Sequence, residues 1–288
     1  MSREEAKRYE QQAEFGEDDA DTYEQQARTF EDSDEPDARS KAEEARQKAD
    51  QARFDAEAAR HSAEANWKAV GEDGKAKEVW AKGAKRDKER AERHRQIAKQ
   101  KEKRADEMEE FAKTQRERAK EKRQEARDLE RAGKKEEAKE AEELAEIMDQ
   151  EADRAEDELA PDLRVEAYNE REKASDDLEN AARDLERAGT FREAADAWEE
   201  AGDASPDVPV PLGTELQELR DLEKAARRWK HAADIHDELG NKEKAGELRK
   251  KATDGWRSQR RLLRRVDRAR PLAIRRGATR AHLRLGGS

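Results

Sequence analysis

The chain contains no cysteine, which removes disulfides and thiolate chemistry and leaves the redox compartment unspecified. Aromatic residues make up 5% and the apolar set 33%, much of it alanine, so a thick globular core cannot form. Prolines number six, and Pro36, Pro161, Pro206, Pro209, Pro211 and Pro271 all fall where the helical pattern breaks. No window is long and apolar enough to cross a bilayer, and Met1-Ser2-Arg3-Glu4-Glu5 lacks the apolar run of a secretory leader. A soluble cytoplasmic protein is expected. Glycine-rich phosphate loops, a nucleophile elbow and a kinase signature are all missing. None of the five histidines (His61, His94, His231, His236, His282) stands in the Glu-x-x-His spacing of a di-iron bundle. The expectation is therefore no enzyme, no cofactor and no metal site.

Charge and alanine fill the space these absences leave. Charged residues are 48% of the chain, and alanine, glutamate, lysine and arginine are strong helix formers. In a first arm alanines fall at 38, 42, 45, 49, 52, 56, 59 and 63, and in a second at 84, 91, 98, 105, 112, 119 and 126. Steps of three and four, or of seven, sustained this long predict antiparallel supercoiled helices whose small seam residues let the backbones approach closely. A third arm follows Ala138, Ala141, Ala145, Met148, Ala152, Ala155 and Leu159, and a fourth, beyond a break at Pro161, follows Leu163, Ala167, Ala174, Leu178, Ala181, Leu185 and Ala188. Half of the second arm's seam is polar, at Asp87, His94, Lys101, Gln115 and Lys122.

The organisation read from this pattern has five parts: a short N-terminal helical hairpin in 1–32, broken at Gly16-Glu17-Asp18-Asp19; a long-helix coiled-coil or helical-repeat body in 37–201; a proline-rich linker in 202–213; a C-terminal helical hairpin in 214–267; and a basic flexible tail in 268–288. Within 1–32 the pentapeptide Tyr9-Glu10-Gln11-Gln12-Ala13 recurs at Tyr23–Ala27. The fold class is all-α: elongated, alanine-seamed, antiparallel coiled-coil hairpins followed by a further set of helical hairpins.

Four turns share one spacing, a glycine followed five residues later by alanine: Gly71/Ala76, Gly133/Ala138, Gly189/Ala194 and Gly240/Ala245. Glycine leaves the first helix in a left-handed conformation and alanine lets the second pack against it. Gly189-Thr190-Phe191-Arg192-Glu193-Ala194, with Trp198 and Ala201 after it and Leu178, Ala181, Ala182 and Leu185 before it, resembles a tetratricopeptide (TPR/SNAP-like) helical repeat over about residues 175–252. That resemblance implies a stack of helix pairs serving protein–protein interaction. The alanine-rich hairpin 37–131 is similar to that of phage-shock-protein-A-type membrane-remodelling proteins, which implies work at a membrane surface. The ending Leu283-Arg284-Leu285-Gly286-Gly287-Ser288 resembles the tail of ubiquitin-like modifiers, but nothing upstream reads as strands, so it is read as a flexible end.

Trp67, Trp80, Trp198, Trp229 and Trp256 are expected to be packing anchors that set register among interchangeable alanines. From Trp256 to Ser288 the chain has eleven arginines, no lysine and one acid, about +10, so the remainder carries about −21 to give the net −11. Arg257, Arg260, Arg261, Arg264, Arg265, Arg268, Arg275 and Arg276 are the candidate partner-binding residues, with Trp256, Leu263 and Val266 expected on one helical face among them. Such a segment suits an acidic protein partner or the chain's own acidic body; nucleic acid phosphates and an anionic membrane are weaker readings. The function expected is a non-catalytic scaffold or adaptor that binds protein partners and can self-associate. The alternatives are an assembly protein similar in type to a phage scaffolding protein, or a membrane-surface coiled coil.

Overall fold

Alanine spacing decides how the helices meet. The computed structural model describes residues 2–31, 33, 35–204 and 215–284, with side chains described for these apart from 215–218 and 265–284. Every regular element among the described residues is helical: α1 (Arg3–Glu31), α2 (Ala38–Ala69), α3 (Asp73–Arg131), α4 (Lys135–Arg154), a π-helical turn (Ala155–Leu159), α5 (Ala160–Ala188), α6 (Phe191–Asp203), α7 (Glu215–Glu238) and α8 (Lys242–Arg284). The fold is all-α. Its two compact units do not follow the linear order read from composition. One comprises residues 1–87 and 180–194, the other residues 88–179 and 195–288.

In the first unit α1 is one helix where the sequence suggests two. Gly16 is not a turn residue: a Cβ there would lie 3.0 Å from Ala56 Cβ and 3.1 Å from the Ala52 carbonyl of α2. The close approach of the two helices explains the glycine, and the roughly 1 kcal/mol that it costs a helix interior is small beside 29 residues of pairing. The seam of α1 is Ala6, Ala13, Ala20 and Ala27, all buried at seven-residue steps. Against α2, a ladder of four rungs also repeats every seven residues: Glu10 with Trp67, Glu17 with Arg60, Glu24 with Arg53 and Glu31 with Arg46. The repeated pentapeptide is a by-product, since its copies lie two heptads apart on the same face. A second buried carboxylate, Asp184 of α5, takes Arg60 Nη1 at 2.9 Å, and the Arg187 guanidinium lies 4.3 Å from the centroid of the fully buried Trp80.

Each of the four repeated glycines has positive φ, from +76° at Gly71 to +80° at Gly133. Each turn carries the same pair of bonds, at Gly71 from its N–H to the Lys68 carbonyl (3.0 Å) and from Glu72 N–H to the Trp67 carbonyl (2.9 Å). The same two bonds recur at Gly133, Gly189 and Gly240, which makes all four Schellman caps. The following helix starts when the alanine N–H bonds back to the residue after glycine, as Ala76 does to Glu72 at 3.1 Å. Ala76, Ala194 and Ala245 are buried; Ala138, at the turn between α3 and α4, is only half-buried.

Within the second unit Pro161 does not separate two arms. Its missing N–H and its ring would disrupt an α-helical ladder, and the backbone widens just upstream, with Ala160 N–H bonding five residues back to the Ala155 carbonyl. Helical geometry therefore runs from α4 through the π-turn into α5. The wider turn also shifts the seam by one residue, so Ala160 is buried where Leu159 was expected, and Leu159 is 40% exposed. At the other end of this unit α8 is likewise continuous through Pro271 to Arg284, where a stop was expected. Trp229 of α7 lies between two glycines, with Gly202 on α6 and Gly255 on α8 leaving room for the indole. The buried Arg228 beside it hydrogen-bonds Asp176 and Glu179, each at 2.7 Å, together with Ser175 and the Ala201 carbonyl in the last turn of α6.

Candidate interaction site

The α3 segment of the second unit pairs with α4, the π-turn and α5 of its own chain. Ala105, Ala112, Ala119 and Ala126 are buried on one side of the seam, and Ala141, Ala145, Ala152, Ala155 and Ala160 on the other. In the polar half of the α3 seam His94 and Gln115 are buried, while Lys101 and Lys122 are half-buried. His94, 1% exposed, sets Nδ1 2.6 Å from Glu170 Oε2 and Nε2 3.6 Å from Asp177 Oδ2. Arg90 Nε donates to Asp177 Oδ1 at 3.2 Å, and Lys173 reaches the other oxygen of Glu170 at 2.8 Å. Burial works against ionising Glu170, but the His94 hydrogen bond and Lys173 outweigh it and hold the carboxyl at about 2. The sequence shows His94 as a polar gap in the α3 seam, but nothing in it joins that gap to Glu170, 76 residues further on. These groups, like Arg60 and Arg228, are closed in by helices and fix register.

The two flanks of this hairpin differ. With the buried alanines of α3 as position a of the heptad, residues 102, 109, 116 and 123 lie on one side of the seam and residues 104, 111, 118 and 125 on the other. Ala145 and Ala152 divide α4 in the same way, with Glu142, Asp149 and Glu156 on one side and Leu144 and Glu151 on the other. Ion pairs lace the first side: Arg123 to Asp149 at 2.5 Å, Arg116 to Asp153 at 3.0 Å and to Glu156, Arg164 to Glu109 at 2.8 Å, and Arg171 to Glu102. The second side carries Phe111, Leu144, Ile147 and Leu159, which are 42%, 45%, 51% and 40% exposed. Between Phe111 and Glu125 one hydrogen bond crosses there, from Gln115 Nε2 to Glu151 Oε2 at 2.8 Å. The stretch Lys135–Leu159 is acidic, with twelve acids against three bases; Glu142, Asp149, Asp153 and Glu156 serve the ion-paired side.

The arginine face lies on α8. Arg257, Arg260, Arg261 and Arg264 are exposed; Arg257 pairs with Asp254 at 3.2 Å, and the other three make no ion pair among the described residues. The side chains of Arg265, Arg268, Arg275, Arg276 and Val266 lie outside the described residues. The apolar face differs from expectation, since Ala252, Gly255 and Leu262 are the buried residues while Leu263 is 43% exposed and Trp256 half-buried. Gln259 ties this face to α7 through the Leu219 carbonyl. Among the anchors, Trp67, Trp80 and Trp198 are buried and Trp229 is half-buried. His231 meets Trp198, and His61 meets Trp80, edge-on at 4.8 Å. Among the described residues no group of three or more histidines or carboxylates is placed to hold a metal ion, and no helix is long and apolar enough to cross a membrane. The chain matches no family model, no curated protein and no solved structure.

Proposed function

We propose that this protein is a non-catalytic helical scaffold or adaptor that binds protein partners through exposed helix faces and the arginine-rich end of α8. The observation that carries the reading is the contrast between its polar groups. The buried clusters around His94, Arg60 and Arg228 are consumed in contacts between helices, whereas Arg260, Arg261 and Arg264 of α8 are exposed without an ion pair among the described residues and the apolar strip on α3/α4 stands open to solvent. Four Schellman-capped hairpin turns of one design support a tetratricopeptide-like stacking of helix pairs as the architectural basis. A photo-crosslinking residue placed at Arg260 or Ile147 of the full chain in cells tests this. Discrete protein adducts at these positions, absent from a control at exposed Phe54, are expected. A lack of adducts at both, or adducts to lipid or nucleic acid alone, would overturn the reading.

A further inference from the structure

The geometry points to a specific occupant for the open flank of the α3/α4 hairpin: we propose that it binds the arginine-rich α8 segment of a second copy of this chain. The inference rests on the scaffold reading and adds self-recognition to it. Three observations converge. Ion pairs to α5 cross on both sides, since Lys101 reaches Glu166 at 2.7 Å on the second, but along α4 and the π-turn they seal one side only, and there Phe111, Leu144, Ile147 and Leu159 stay exposed on the other. The strip lies in an acidic stretch of the hairpin, with Glu137, Glu140, Glu143 and Glu158 exposed there, three of them in surface ion pairs with Lys134, Lys139 and Arg154 that a guanidinium can exchange into. An apolar strip edged by carboxylates fits an amphipathic helix with basic flanks.

The chain itself supplies such a helix. α8 is helical to Arg284, and its sequence from Trp256 onward carries eleven arginines against Asp267 alone, interspersed with Leu262, Leu263, Val266, Leu272 and Ile274. In its described part Leu262 is already used against α7, but Leu263 and the arginines around it face outward. Flank and segment are different surfaces of one chain. Reciprocal exchange between two copies closes a two-fold dimer, whereas one-way exchange propagates a chain of copies. Either geometry buries the apolar strip against Leu263 and the aliphatic stems of the arginines, and pairs their guanidinium groups with the carboxylates at its rim.

The test uses three full-length proteins: the wild type, a flank variant (Leu144→Glu with Ile147→Glu) and a segment variant (Arg265, Arg268, Arg275 and Arg276→Glu). Light scattering across a concentration series, at low and high salt, gives their masses, and circular dichroism checks that helix content is unchanged. The substituted flank positions are half-exposed, so the fold should tolerate them. The wild type is expected to reach twice the monomer mass or more, and each variant to need at least about tenfold higher concentration for the same association. An equimolar mixture of the two variants should recover part of it, because one intact flank then meets one intact segment in trans. A wild type that stays monomeric, or association that survives either variant, would overturn the second-copy occupant and leave the crosslinking test of the scaffold reading untouched. If both variants lose association and their mixture regains none, the exchange between copies is also refuted.

Discussion

The Trp229 site allows a sharp calculation. Replacing Gly202 by alanine should raise intrinsic helix stability by up to about 1 kcal/mol, as for any helical glycine. At this position the new Cβ would lie 2.4 Å from Trp229 Nε1 and 2.5 Å from Cδ1. The indole has little room to swing away, because on the far side the gap at Gly255 is so narrow that a single added methyl there would already stand 3.3 Å from Trp229 Cζ3 and from Ala226. Relieving the clash means shifting a rigid ring between two helices, an overpacking cost of about 1–3 kcal/mol, together with loss of the 2.8 Å bond from Trp229 Nε1 to Asp203 Oδ1, about 1 kcal/mol. The cost exceeds the gain, so Gly202→Ala should destabilise by about 1–3 kcal/mol. Urea titration followed by circular dichroism and indole fluorescence measures this, with Gly246→Ala as reference. Gly246 is helical with nothing within 4 Å of its Cβ position, so its substitution should stabilise by about 0.5–1 kcal/mol. In a Trp229→Leu background the Gly202→Ala penalty should shrink or reverse. Equal stabilisation by both glycine substitutions in the wild-type background would refute the close-approach argument.

Further predictions concern turns, carboxylates and the buried histidine. Gly189→Ala forces a side chain into φ +77° and should cost about 1 kcal/mol in the same titration. Burial pushes the Asp184 carboxyl up to about 6 in spite of Arg60 and Arg187. The folded chain therefore holds that proton more tightly than the unfolded one, a contribution complete below about pH 4 and lost as pH rises through 6; a stability profile of Asp184→Asn should lack this loss. Glu170 behaves in the opposite sense. Held at about 2, it contributes fully above about pH 4.5 and loses that contribution as pH falls toward 2, so Glu170→Gln should flatten the acid limb of the profile. His94→Leu leaves Glu170 and Asp177 buried without the imidazole between them, and should cost about 3 kcal/mol or more by denaturant titration.

Alanine periodicity was a reliable guide because a seam residue's burial depends on little beyond its place in the heptad: Ala84 to Ala126 are buried at all seven positions. The four turn glycines were legible for a similar reason, since their chemistry is local. Errors arose where local and long-range physics compete. Gly16 and its acidic neighbours look like a turn until the Ala52–Ala56 surface of α2 is brought against them. Pro161 looks like a stop, yet one π-turn absorbs it and moves the seam from Leu159 to Ala160. The charged partners of the seam were hidden in numbers. With 74 acids in the chain, nothing local distinguishes Glu170 or Asp184, which are buried, from the many that face water. The open flank was invisible for the same reason, as it emerges only once the ion pairs of the opposite side are known.

The α1/α2 ladder also bears on how the hairpin finds its alignment. Its rungs are almost a translational lattice, because three of the four are glutamate–arginine and all recur at heptad intervals. Sliding one helix by a heptad would re-form most of them with a neighbour of identical chemistry. A slip in either direction breaks the single unlike rung, where Glu10 accepts from the Trp67 indole at 2.5 Å and the tryptophan packs among Ala6, Ala63, Ala76 and Val79. Trp67 thus serves as the index mark on an otherwise repeating scale: it turns a set of interchangeable alignments into one.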